Sequence, residues 1–255
     1  MTYIRAINKI KEFLLELFFP SFCFGCEKEG TYLCDDCRAT LEISEFQYCL
    51  CDKNPLKLAP KQESGKCNKC FAKKLSGLYF ALPYKERSLT RNLIHRFKYQ
   101  PYIKNLAKTL AGILTEHFII SGKNTENTWR NSLLMPIPLD KNKLKRRGYN
   151  QAEELAKKLS EILKLPVISD VLVKIKPTKP QMELSKEQRE KNLQEAFAIK
   201  IPENLAMSDI AKFSGKKVFL VDDVYTTGST MEECAKILKE AGVKEVWGIA
   251  IAREG

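Results

Sequence analysis

Hydrophobic and polar positions divide the chain into three regimes. In residues 4–19, IRAINKIKEFLLELFF, apolar side chains recur at helical spacing while Lys9, Lys11, Glu12 and Glu16 interrupt the run. This predicts an amphipathic helix stopped by Pro20, and neither a signal peptide nor a membrane anchor. From residue 21 to residue 75 aliphatic side chains thin out. From residue 76 to the end, strand-like apolar runs alternate with helical stretches, the pattern of an α/β domain built on a parallel sheet.

Within that last regime the pattern predicts a strand over 78–84 and a helix that puts Leu89, Leu93, Ile94 and Phe97 on one face. It then predicts a helix over 103–120, a strand over 133–138, a helix over 151–163 and a strand within 167–175. The polar, proline-punctuated stretch 176–197 predicts a mobile excursion able to serve as a lid. Val218, Phe219, Leu220 and Val221 form a run suited to a strand buried on both faces, closed by Asp222 and Asp223. Thr226, Thr227, Gly228, Ser229 and Thr230 follow, then a helix through Met231, Ala235, Ile237 and Leu238, and a last strand in 244–254.

The order of strand, acidic pair, hydroxyl-rich turn and helix carries chemistry. Small residues around Gly228 let successive N–H groups point at a phosphate, and the following helix adds its positive end. Two adjacent carboxylates at a strand end can accept hydrogen bonds from a vicinal diol, so Asp222 and Asp223 suit a ribose. A second loop is expected at 139–148, LDKNKLKRRG. Placed after a parallel strand, it would aim Lys141, Lys143, Lys145, Arg146 and Arg147 at the same phosphates.

Charge and cysteines change the picture further. The 255 residues carry 43 Lys and Arg against 31 Asp and Glu, a formal +12, which favours a phosphate-rich ligand or a polyanionic partner. The basic side of the helix near Arg87–Lys98, beside Phe97, Tyr99 and Tyr102, is read as a solvated face in preference to a single-strand platform. Eight of the nine cysteines occur as pairs between residues 23 and 70, the arrangement of metal knuckles more than of disulfides. Cys23, Cys26, Cys34 and Cys37 have the spacing for one structural Zn²⁺, with Gly25 available for a positive φ. Cys49, Cys51, Cys67 and Cys70 offer a second site, less regular because CLC has one intervening residue; an arrangement interleaving the two sets stays open. Cys234 is read as a packing residue and His95 as structural.

VFLVDDVYTTGST resembles the signature of type I phosphoribosyltransferases. In the order PIPLDKNKLKRRGYNQAEELAKKL, KPQMELSKEQREKN, AF and VFLVDDVYTTGST, behind the eight cysteines, the whole chain is similar to the ComF family of competence proteins. The CLC spacing departs from that family's usual CxxC. Behind the amphipathic helix (1–20), the resemblance implies a zinc-ribbon-like module (21–75) and a phosphoribosyltransferase-like domain (76–255), with helices on both faces of a parallel sheet.

The resemblance also implies site roles and partners. Asp222, Asp223 and Arg147 would be catalytic, the acidic pair holding the ribose hydroxyls of phosphoribosyl pyrophosphate (PRPP). Thr226, Thr227, Gly228, Ser229 and Thr230 would hold its 5-phosphate. Asp140, Lys141, Gln181, Arg189 and Asn192 would complete the ligand site, the last three from a closing loop, with Mg²⁺ accompanying PRPP. The implied role is DNA uptake in natural transformation by a cytoplasmic protein, peripheral at the inner membrane and not itself transmembrane. Its implied partners there are single-stranded DNA and other competence proteins. A transferase acting on an unidentified acceptor and a PRPP sensor without catalysis remain alternatives.

Overall fold

The computed structural model describes residues 20–52, 54–59, 62, 64–123, 125–176, 196–200, 213 and 215–254. The helix expected over 4–19, and Gln181, Arg189 and Asn192, lie outside the described residues. The strands are β1 (Gly77–Pro83), β2 (Ser132–Pro136), β3 (Leu172–Lys174), β4 (Phe197–Ile199), β5 (Lys217–Tyr225) and β6 (Glu245–Arg253). The helices are α1 (Asp35–Ala39), α2 (Leu89–Lys98), α3 (Leu106–Ile120), α4 (Glu126–Trp129), α5 (Lys141–Arg147), α6 (Gln151–Leu163) and α7 (Ser229–Glu240).

Strands β1, β6, β5 and β2 lie side by side in that order, all parallel. Because both faces are covered, β5 and β6 read as near-continuous apolar runs, with side chains alternating between two cores. Trp247, Ile249 and Ile251 enter the core shared with α3 and α6, while Val246 and Ala250 enter the one shared with α7. The bulky members thus face one side and the smaller ones the other. Gly248 belongs to the crowded side of α7, since a Cβ there would stand 2.7 Å from the sulfur of Met231.

Helix α6 follows β2 on one face of the sheet and α7 follows β5 on the other. The carboxyl ends of β2 and β5 therefore flank the crevice where an open α/β sheet accommodates ligands. Strands β3 and β4 pair antiparallel from Leu172 with Ile199 to Lys174 with Phe197, and residues 177–195 of the excursion expected at 176–197 lie outside the described residues.

Two local expectations are corrected. The stretch 139–148 is not a loop, because KNKLKRR is rich in helix formers and both ends are capped. Asp140 accepts hydrogen bonds from the N–H groups of Asn142 (2.9 Å) and Lys143 (3.4 Å), and Gly148 closes α5 at φ 78°. The acidic pair, moreover, does not end its strand. Residues 222, 224 and 225 keep register with Ala250, Ala252 and Arg253 of β6, which carries β5 on to Tyr225.

Candidate functional site

The turn after β5 is shaped by Gly228. Its φ of 78° lies in the left-handed region, and a Cβ there would stand 2.1 Å from the Tyr225 hydroxyl oxygen, so both conformation and space demand glycine. No side chain caps the start of α7. The hydroxyls of Thr227 and Ser229 bond each other at 2.8 Å, one donating and one accepting, which holds both at the mouth of the turn.

Above this turn the acidic pair sits in contrasting surroundings. Asp223 is buried, 5% exposed, and its Oδ1 accepts from Lys98 Nζ at 2.8 Å. Asp222 accepts from the Asp223 N–H at 2.8 Å. Burial first, then the Asp223 carboxylate beside it, push the Asp222 carboxyl from an ordinary 3.8 up to about 7, against the pull of Lys98. Burial alone would depress the Lys98 ammonium, but Asp223 and Asp222 more than offset it, so the net shift is upward.

Four residues of the RRGYNQ segment, Arg147, Tyr149, Asn150 and Gln151, are held around the same cluster by hydrogen bonds. Arg147, 7% exposed, donates from Nη1 to Gln151 Oε1 at 2.9 Å and lies 5.3 Å over the Tyr99 ring; its Nε has no hydrogen-bond partner. Tyr149 donates to the Phe97 carbonyl at 2.5 Å, tying the start of α6 to the end of α2. Asn150 donates to the Ile137 carbonyl at 3.0 Å and caps α6 by accepting from the Ala152 N–H. Of the five cations expected to face the phosphates, Arg147 and Lys143 turn inward, whereas Lys141, Lys145 and Arg146 are exposed. Burial, then Arg147, depress the Lys143 ammonium, with Lys98 acting in the same sense. Lys143, Arg147 and Lys98 thus make one cationic group beside two carboxylates.

From the sequence Lys98 and Tyr99 are expected on a solvated basic face, and Gln151 is given no ligand role. A helix after a parallel strand ordinarily runs back toward the amino end of the sheet, and on that assumption Lys98 lies far from Asp223. Instead α2 runs along the carboxyl edge: β1 ends beside Arg253, and α2 ends beside Asp223. Only the placement of α2 reveals the pair.

The eight paired cysteines gather into two groups, Cys23, Cys26, Cys34 and Cys37, and Cys49, Cys51, Cys67 and Cys70, each with its sulfurs within 4.8 Å of one another. The interleaved arrangement does not occur. Sulfur separations of 3.5 Å (Cys26 to Cys34) and 3.7 Å (Cys23 to Cys34) in one group, and 3.6 Å (Cys51 to Cys67) in the other, match a tetrahedral site. Four sulfurs about 2.3 Å from a central Zn²⁺ lie about 3.8 Å apart. Backbone N–H groups point at the sulfurs, Cys34 N to Cys23 Sγ at 3.4 Å and Leu56 N to Cys49 Sγ at 3.1 Å among them. Burial resists ionisation of Cys23, yet such N–H bonds bring its thiol down to about 6, while Cys37 is pushed up by the Cys26 sulfur. This donor set fits a soft dication.

Gly25 serves its knuckle differently from the expectation. It has no positive φ; a Cβ there would lie 2.5 Å from Cys37 Sγ, so glycine is needed for close approach. The left-handed turns fall on Glu27 (φ 63°) and Gly30 (φ 100°). In the second group the single residue between Cys49 and Cys51, Leu50, is fully buried in the core beneath α7. Cys234 is buried too, and burial raises its thiol well above the ordinary range, as suits a packing residue.

Among known families, the phosphoribosyl transferase domain matches residues 144–254, which include Arg147, Asp222, Asp223 and the Gly228 turn. Competence protein F of Haemophilus influenzae is 32% identical over 243 residues, 92% of this chain and 99% of that protein. Competence protein ComFC of Streptococcus pneumoniae is 27% identical, covering 88% of this chain and 89% of its own length. The DNA utilization protein YhgH of Escherichia coli is 29% identical over 61% of this chain and 64% of its own. The cysteine-rich front end, the parallel sheet with its acidic pair, and the extent of the match to competence protein F together establish that this chain belongs to the ComF family of competence proteins.

Proposed function

We propose that the chain binds PRPP with Mg²⁺ in the crevice at the carboxyl ends of β2 and β5, and that it binds single-stranded DNA during DNA uptake. The supporting observation is the convergence of Asp222, Asp223, Lys98 and Arg147 beside the Gly228 turn. The ribose hydroxyls would donate to Asp222 and to the Asp223 oxygen that Lys98 does not hold. The 5-phosphate would rest on the turn, with Thr226, Thr227, Ser229 and Thr230 as hydroxyl donors. Arg147, buried with a free Nε, and Lys143 supply the positive charge that a pyrophosphate needs. Mg²⁺ would accompany PRPP and offset the charge of its pyrophosphate, and Asp140, Lys141, Gln181, Arg189 and Asn192 would complete the site by resemblance.

Zinc in both cysteine groups would be structural, because four thiolates leave no open coordination position. Among the described residues no helix is long and apolar enough to cross a membrane. A cytoplasmic place beside other competence proteins at the inner membrane is part of the same reading, supported by the names of the relatives.

The test is titration of labelled single-stranded DNA with and without PRPP and Mg²⁺, with pyrophosphate release followed alongside. Shared use of the exposed Arg146 and the buried Arg147 predicts competition. PRPP should weaken DNA binding, and DNA should weaken PRPP by the same factor. An Arg146→Ala, Arg147→Ala variant should lose affinity for both, with a salt slope shallower by about 0.7 for each DNA phosphate it no longer neutralises. Normal DNA binding by that variant would put the nucleic-acid surface elsewhere.

A further inference from the structure

Two connections run from the second cysteine group to the phosphate turn, the first of them buried. On the strand side, Arg253 at the end of β6 is 2% exposed and donates from Nη1 to the Cys49 carbonyl at 2.8 Å and from Nη2 to the Cys51 carbonyl. Its guanidinium lies 5.4 Å over the Tyr225 ring, and that ring fills the space under Gly228. On the helix side, Glu232 in the first turn of α7 accepts from the backbone N–H groups of Lys74 (2.5 Å) and Leu75 (3.2 Å), just beyond Cys70. The first cysteine group leans on different elements. Asn92 of α2 donates to the Phe24 carbonyl at 3.0 Å, and Arg38 pairs with Glu116 of α3 at 2.7 Å.

We infer that Arg253 and Glu232 are positioning residues through which metal in the second cysteine group, and not in the first, holds the Gly228 turn in its phosphate-binding shape. The inference rests on reading that turn as the phosphate site. While four sulfurs converge on one ion, the carbonyls of Cys49 and Cys51 are fixed and Arg253 has its two acceptors. Release of the ion lets the sulfurs separate and those carbonyls move. A buried guanidinium that loses its acceptors must find others or reach water, because leaving it unpaired is strongly unfavourable. Its departure withdraws the face that supports Tyr225, and the turn loses the ring packed beneath it. Release also frees residues 71–75, from which Glu232 takes two amides that help anchor the first turn of α7.

The test compares intact zinc-loaded protein with Cys51→Ser, Cys26→Ser and Arg253→Met variants. Metal content by mass spectrometry should fall by one zinc in each cysteine variant. Hydrogen exchange at residues 226–231 should quicken at least tenfold in Cys51→Ser and in Arg253→Met, which keeps all eight ligands, and stay within twofold in Cys26→Ser. Amides of β2 and α3 should keep their protection in Cys51→Ser, which separates local release from unfolding. Linkage adds a readout that a purely structural role would not move: Mg²⁺ with PRPP should tighten zinc several-fold, in competition with a chelator, at the site that Cys51→Ser lacks, and leave the other site alone. The inference is overturned if Cys51→Ser and Arg253→Met both leave the turn's exchange unchanged, or if Cys26→Ser quickens it equally. It is overturned equally if calorimetry shows that PRPP binds while both zinc sites keep their affinities. If PRPP does not bind, the reading of the pocket fails, and the exchange contrast between the two cysteine variants still decides the coupling.

Discussion

Replacing Asp222 with asparagine should make the ligand-free protein more stable at neutral pH while weakening its ribose site. The Asp222 carboxyl is pushed from 3.8 to about 7 by burial and by the neighbouring Asp223 carboxylate. Between those two values the folded state holds a proton that the unfolded chain has released. Its stabilising contribution is therefore whole below pH about 4 and is lost as pH rises through about 7. At about 1.4 kcal/mol for each pH unit, keeping this carboxylate ionised in the fold costs about 4 kcal/mol. Asparagine cannot ionise, and its Oδ1 can still accept the hydrogen bond that the Asp223 N–H donates at 2.8 Å. Urea denaturation of both proteins at pH 5, 6, 7 and 8 gives the difference directly, and titrating groups that do not interact with residue 222 cancel. The variant's advantage should be about 2 kcal/mol at pH 5 and grow to as much as about 4 kcal/mol at pH 8. A pH-independent difference, or a wild type more stable than the variant at pH 8, would refute the reasoning.

Gly228→Ala should destabilise the protein by about 2–4 kcal/mol, read as a shift in denaturation midpoint, because it adds left-handed strain to a Cβ 2.1 Å from the Tyr225 hydroxyl. Tyr149→Phe removes the bond to the Phe97 carbonyl and should cost about 1 kcal/mol of stability by the same measurement. Removing zinc with a strong chelator should melt the cysteine-rich segment first, seen as loss of amide protection over residues 23–70, because its few aliphatic side chains bury too little surface to fold alone.

What was legible in the sequence is what local chemistry dictates. The run Val218–Val221, the acidic pair and the glycine turn are contiguous, so strand, turn and helix could be read in place, and the paired cysteines indicated metal knuckles while their grouping into two clusters stayed open. Helix α5 was missed although both of its caps, Asp140 and Gly148, were visible, because a run of cations before a glycine reads equally well as a loop. Lys98 and Arg253 were hidden for a different reason. Each is a charged residue whose partner lies far away in sequence, Asp223 for one and the carbonyls of Cys49 and Cys51 for the other. No local pattern distinguishes such a residue from a solvated one. Gly25 shows the same limit on a smaller scale, since its need for glycine arises from the sulfur of Cys37 across the knuckle.

The most direct test of the central claim is calorimetric titration of PRPP with Mg²⁺ into the wild-type protein and into Asp223→Asn. Binding at one site in the wild type is expected. The variant should bind about 1.5–3 kcal/mol more weakly, since the ribose loses a charged acceptor and Lys98 loses its partner. Equal affinity in the two proteins, or no binding in the wild type, would contradict the assignment of the crevice between β2 and β5 as a PRPP site.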